Sequence, residues 1–174
     1  MEDLKFPIGR FDFKEEYSGE KLVKVLDVIK TSPEEYRKLT ANLSAADLNK
    51  TYREGSWTVQ QLVHHVADMH ILHFLRLKSA LTDPNYKEST MVKMDGWAAT
   101  SDATDFPIES SLAILDGIHH RYAKLGSALS EEQYEITYFH PVRNLYYSQR
   151  QALALTAWHS EHHLAHIKIA LGLL

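Results

Sequence analysis

Residues 148–170 read SQRQALALTAWHSEHHLAHIKIA, and this stretch decides the fold class. It opens on Ser148-Gln149-Arg150-Gln151, a capping box in which Ser148 caps the first turn and Gln151 reaches back. No proline or glycine follows before residue 170, so the spacing predicts one long helix running to the end of the chain. Counted at roughly 100° per residue from His162, Leu155, Trp158, Ala165, Ile169 and Leu173 fall within about 60°, and His166 within about 40°. Two imidazoles therefore occupy the middle of an apolar stripe, where an unpartnered polar group costs roughly 1–3 kcal/mol. Four residues apart, they can grip one metal ion together. His159 and His163 share that spacing but lie on the flank of the stripe, so the wheel ranks His162 and His166 first.

A second cluster, His64, His65, His70 and His73, falls on another helix. Thr58-Val59-Gln60-Gln61 is again a capping box, and the pattern runs to about Leu81, before Asp83-Pro84. Its stripe centres on Val59, Leu62, Val66, His73 and Leu77. His65 borders the stripe beside Met69 and Arg76, whereas His64 points nearly the opposite way with Gln60 and Asp68. His65 is the better-directed third ligand by a small margin. A lone helical histidine is more often a surface or hydrogen-bonded residue, and His119, His120 and His140 read that way.

Two further helices are expected, over about 20–42 and 107–129. Ser32-Pro33 is expected to kink or interrupt the first. Pro107 suits the opening turn of the other. Short turns are expected near 44–48, 95–99 and 130–133. Ile136–Phe139 and Leu145–Tyr147 have the composition of a small hairpin. Residues 1–17, with Pro7 and Gly9, read as an extended arm. Four long helices without a sustained strand pattern make an all-α four-helix bundle, and 174 residues suit one domain spanning the chain.

Composition narrows the function. Nineteen Lys and Arg against 23 Asp and Glu leave a net charge of -4, with no dense basic run, which disfavours nucleic acid and anionic membranes as partners. No apolar run approaches the roughly 20 residues of a membrane span, and the first residues do not read as a signal peptide. Without cysteine the chain has no disulfide and no thiolate ligand, which suits the cytoplasm. There is no His-Glu-x-x-His, Glu-x-x-His, Gly-rich phosphate loop or Gly-x-Ser-x-Gly elbow.

Several stretches together resemble the DinB-like superfamily, in its YfiT-like branch of metal-dependent hydrolases. They are Phe6-Pro7-Ile8-Gly9, Tyr52-Arg53-Glu54-Gly55-Ser56-Trp57-Thr58-Val59, His64-His65-Val66-Ala67-Asp68, the Arg76 and Lys78 segment, Phe139-His140-Pro141, and Trp158 through Ile167. The resemblance covers almost the whole chain. It implies a four-helix bundle, a homodimer and one divalent metal per subunit held by three histidines. Carried over by motif, these are His65, His162 and His166. Zn²⁺ is the first expectation, with Ni²⁺ and Fe²⁺ also suited to imidazole. Three such ligands leave a position open, so the ion would act as a Lewis acid and activate water for hydrolysis of a small molecule. Relatives in the wider group imply an alternative, transfer of a low-molecular-weight thiol such as bacillithiol to an electrophile. In this cysteine-free chain that thiol would have to be a cosubstrate. A metal-stabilised, non-catalytic dimeric bundle is the third reading, and it would need a fourth protein ligand. Asp68, His159 and Glu161 are candidates to support the ligands from behind. Trp57, Trp158 and Met69 are candidates to line the pocket, though core packing is the commoner role for such residues.

Overall fold

The computed structural model of the chain describes residues 2–174, with side chains from Leu4 onward. In chain order the helices are α1 (Glu2–Lys5), α2 (Gly19–Thr40), α3 (Ala45–Leu48), α4 (Val59–Thr82), α5 (Met94–Ala98), α6 (Ser101–Asp105), α7 (Glu109–Gly126), α8 (Glu131–Tyr134) and α9 (Gln149–Ala170). Between α8 and α9 lies an antiparallel hairpin of β1 (Thr137–His140) and β2 (Leu145–Ser148), which pairs Tyr138 with Tyr147 and His140 with Leu145. Its turn carries Asn144 at φ 52°, a left-handed position that asparagine tolerates well.

The four long helices form the bundle: α2 and α4 each pack against both α7 and α9. The two helices with the histidine clusters begin where their capping boxes predict. Thr58 accepts from the Gln61 N–H while Gln61 returns a bond to the Thr58 N–H, and Ser148 and Gln151 do the same for α9. α2 departs from expectation. It runs unbroken through Pro33, which is buried within it. Proline inside a helix costs about 3 kcal/mol through a lost hydrogen bond and a clash, and burial against neighbouring helices outweighs that here. The amino-terminal arm also departs from expectation, because residues 2–5 make one helical turn. Pro7 disfavours helix at Phe6 and stops it there.

Two apolar layers lie along the bundle. One holds Tyr36, Leu62, Val66, Leu115, Leu164 and Ile167; the other holds Ile29, Phe74, Leu77, Tyr122, Leu153 and Ala157. Between these two stretches, each long helix places polar groups in the interior: Ser32 on α2, His65 and His70 on α4, His119 on α7, and His159 and His163 on α9. The sequence order of each helix, apolar then polar (serine on α2, histidine on the other three) then apolar, sets a polar layer across the middle of the bundle.

Candidate metal centre

Buried polar side chains need partners, and the imidazoles of this layer find them mainly in one another. Nε2 of His65, reaching from α4, lies 3.3 Å from Nε2 of His159 on α9. Nε2 of His163 lies 3.2 Å from the same atom. Among the described residues, two groups of three bring ligand atoms within 4.8 Å of one another: His65 with His159 and His163, and His162 with His163 and His166. His65, His162 and His166 form no such group. The structure thus brings the flank pair of α9, rather than the mid-stripe pair, to His65.

The reason lies in what covers α9. Nearly every residue from Ala152 to Ala157 and from His162 to Ile167 is buried, so the helix has no single core-facing stripe. His159 and His163 face α4. His162 and His166 face the amino-terminal arm and the loop before α4. His162 is held between Trp158, stacked at 4.4 Å between ring centroids, and Phe6 at 5.9 Å. Its Nδ1 is buried without a hydrogen-bond partner. His166 stacks on Tyr52 at 3.9 Å and donates from Nε2 to the Leu4 carbonyl at 3.1 Å.

The residues chosen from sequence to support the ligands are dispersed. His159 belongs to the converging group itself. Asp68 makes no hydrogen bond to His65. Burial and the neighbouring Asp102 push its carboxyl up, while His64 draws it down, which puts it on the far side of α4. His64 bonds there to Ser111 at 2.8 Å and to the Phe106 carbonyl at 3.0 Å. Glu161 is exposed and lines a different cavity, with Ser32 and Lys168. Sequence reasoning assigned no role to His70 or His119, both fully buried behind His159. The signal for them was available: a proline four residues after Ile29, and a histidine within an otherwise apolar helix face.

Electrostatics keep the cluster neutral. Burial pushes His65 down to about 4. Burial, then the neighbouring imidazoles, holds His159 and His163 well below the usual histidine range. Neutral imidazole is the form that binds a metal. The spacing also fits. Zn–N bonds of about 2.0–2.1 Å at tetrahedral angles set two ligand nitrogens roughly 3.3 Å apart, against 3.3 and 3.2 Å here. No carboxylate bonds to the group, so the donor set is all imidazole, which suits Zn²⁺, Ni²⁺ or Fe²⁺. A cavity of about 400 Å³, walled by Phe6, Tyr52, Trp57 and Asp95, is lined by His162, His163 and His166, so it meets the His65 group at His163. Trp57 lies 4.5 Å from the His65 ring, so the mouth of the group is aromatic on one side. No helix is long and apolar enough to cross a membrane among the described residues.

Comparison with known proteins agrees with this architecture. A protein of Oceanobacillus iheyensis named "Putative metal-dependent hydrolase" is 42% identical over 173 residues, covering 98% of this chain and 96% of its own length. One of the same name from Bacillus licheniformis is 39% identical over 168 residues, covering 97% and 95%. The solved structure of YfiT from Bacillus subtilis, described as "a probable metal-dependent hydrolase with an unusual four-helix bundle topology", superposes with a TM-score of 0.92 at 30% identity over 98% of both chains. Residues 29–167 match the profile of the DinB superfamily. The chain belongs to the DinB superfamily.

Proposed function

We propose that this protein is a metal-dependent hydrolase whose centre is one divalent ion, Zn²⁺ first, held by Nε2 of His65, His159 and His163. The convergence of those three nitrogens from two helices carries the reading. The other group of three draws all its rings from little more than one turn of α9, and His166 already spends a nitrogen on the Leu4 carbonyl. The names of the relatives support the reaction class.

The ion, when bound, supplies Lewis acidity that activates water. The chain's part is to hold three neutral rings in place; three protein ligands, rather than the four usual in structural zinc sites, would leave a position for water. The aromatic wall of Tyr52 and Trp57 favours a substrate with a flat or apolar portion beside its reacting group.

The test is hydrolysis of a panel of esters and amides by metal-free protein, before and after one equivalent of Zn²⁺, Ni²⁺ or Fe²⁺. Hydrolysis that appears only with metal, and is lost in His65→Ala, supports the reading. The same panel includes small thiols with an electrophile. Metal-dependent loss of thiol without hydrolysis overturns hydrolysis in favour of thiol transfer.

A further inference from the structure

The nitrogens of His159 and His163 that point away from the convergence are both met by other imidazoles. Nδ1 of His159 lies 3.0 Å from Nε2 of His70. Nδ1 of His70 lies 2.6 Å from Nε2 of His119. Nδ1 of His119 lies 2.6 Å from the carbonyl oxygen of Ile29. On the other side, Nδ1 of His163 lies 3.3 Å from Nδ1 of His166, whose Nε2 lies 3.1 Å from the Leu4 carbonyl oxygen.

Nδ1 of His119 also lies 3.0 Å from the Ser32 hydroxyl, which can donate or accept, so it is the two carbonyl contacts that decide how protons are arranged among neutral rings. A carbonyl oxygen only accepts, so His119 carries its proton on Nδ1 and His166 carries its proton on Nε2. The remaining nitrogen of each ring is then an acceptor. His70 must donate from Nδ1 to His119, which leaves its Nε2 to accept from His159. His159 is therefore protonated on Nδ1, and His163, by the second chain, likewise. Both leave a bare lone pair on Nε2, and those two atoms are the ones 3.2 Å apart. Two acceptors that close repel unless a cation lies between them.

Both chains end on carbonyls that a helix leaves open. The Leu4 carbonyl belongs to the last turn of α1, where carbonyls have no intrahelical donor. The Ile29 carbonyl would bond the N–H of residue 33, but that residue is Pro33 and has none. Ser32 shares this carbonyl, donating from its hydroxyl at 3.4 Å. The first chain draws one link from each bundle helix: α9, α4, α7 and α2.

We propose that His70 with His119, and His166 on the other side, are positioning residues that lock His159 and His163 as Nδ1–H tautomers, and that Pro33 sets the first lock by freeing the Ile29 carbonyl. The locks aim two Nε2 lone pairs at one point before any ion arrives. This rests on the ligand set proposed above, and its test separates the two.

The test has two readouts, neither of them activity. The first is the tautomer of each ring in metal-free, ¹⁵N-labelled protein at neutral pH, from two-bond ¹H–¹⁵N ring correlations. His159 and His163 are expected to be protonated on Nδ1. The second is Zn²⁺ affinity by competition with a chromophoric chelator. His70→Leu is expected to weaken binding about 10- to 100-fold, the usual effect of losing a ligand's supporting partner. Pro33→Ala restores an N–H that competes for the Ile29 carbonyl. It is expected to weaken binding about fivefold, the worth of one modest hydrogen bond, while thermal stability holds or rises. A structural role alone would not couple weaker metal binding to undiminished stability. Nε2–H tautomers at His159 or His163 in the wild type overturn the proposal, as does wild-type affinity in Pro33→Ala. Both of those measurements stand even if His70→Leu fails to fold. Expected tautomers in a protein that takes up no Zn²⁺ contradict the metal centre instead and leave the locks intact.

Discussion

His119 donates from Nδ1 to the carbonyl of Ile29 at 2.6 Å, the one carbonyl of α2 that Pro33 deprives of its helical partner. A residue that weakens one helix thereby anchors a side chain of another. His119 is fully buried, and its Nε2 faces His70. His119→Leu should therefore strand Nδ1 of His70 and leave the Ile29 carbonyl only the long 3.4 Å bond from Ser32. Each buried polar group so stranded costs about 1–3 kcal/mol. Urea unfolding of the metal-free variant should show a loss of at least the lower figure. A variant as stable as the parent would mean that the contact contributes nothing.

The same burial makes the metal-free fold sensitive to acid. Burial holds His119 and His140 down at about 4, below the value of about 6.5 that an unfolded chain presents. Between those values the unfolded chain binds more protons, so stability is full above about pH 6.5 and falls as pH drops toward 4. Urea midpoints at about pH 7, 6 and 5 should decline in that order, with the steeper step at the acid end. A flat profile over this range would contradict neutral, buried rings.

The capping boxes allow a prediction that separates fold from site. Thr58 and Ser148 start the two helices that carry the converging imidazoles. Thr58→Ala and Ser148→Ala should each cost about 1 kcal/mol of stability while leaving the metal content of the folded protein unchanged. Loss of metal in a folded Ser148→Ala variant would mean that the start of α9, rather than its packed middle, sets the ligand geometry.

What the sequence made legible follows the range of the forces involved. The capping boxes, the hairpin around Pro141 and Asn144, and the short turn at Ser130 all rest on neighbours within a few residues, and the structure has each of them. His65 was singled out because α4 has a polar side, although His64 on that side proves buried as well, under the segment that carries Phe106 and Ser111. The choice between the two pairs on α9 was not legible in the same way. A helical wheel assumes one buried face, and α9 is covered by α2, α4, the hairpin and the arm. His70 and His119 escaped because their roles exist only where four helices meet. Pro33 was read as a weakness of α2. Its consequence for Ile29 and His119 depends on a contact 90 residues away in sequence.

The central claim is that one ion is shared by His65, His159 and His163, and the most direct measurement is bound Zn²⁺ per chain in single variants after exhaustive dialysis. The wild type and His162→Ala should each retain about one equivalent, and His166→Ala should retain it with weakened affinity. His65→Ala, His159→Ala and His163→Ala should retain almost none. A folded His159→Ala protein that keeps its metal, beside a His162→Ala protein that loses it, would move the centre to the arm-facing pair and contradict the account.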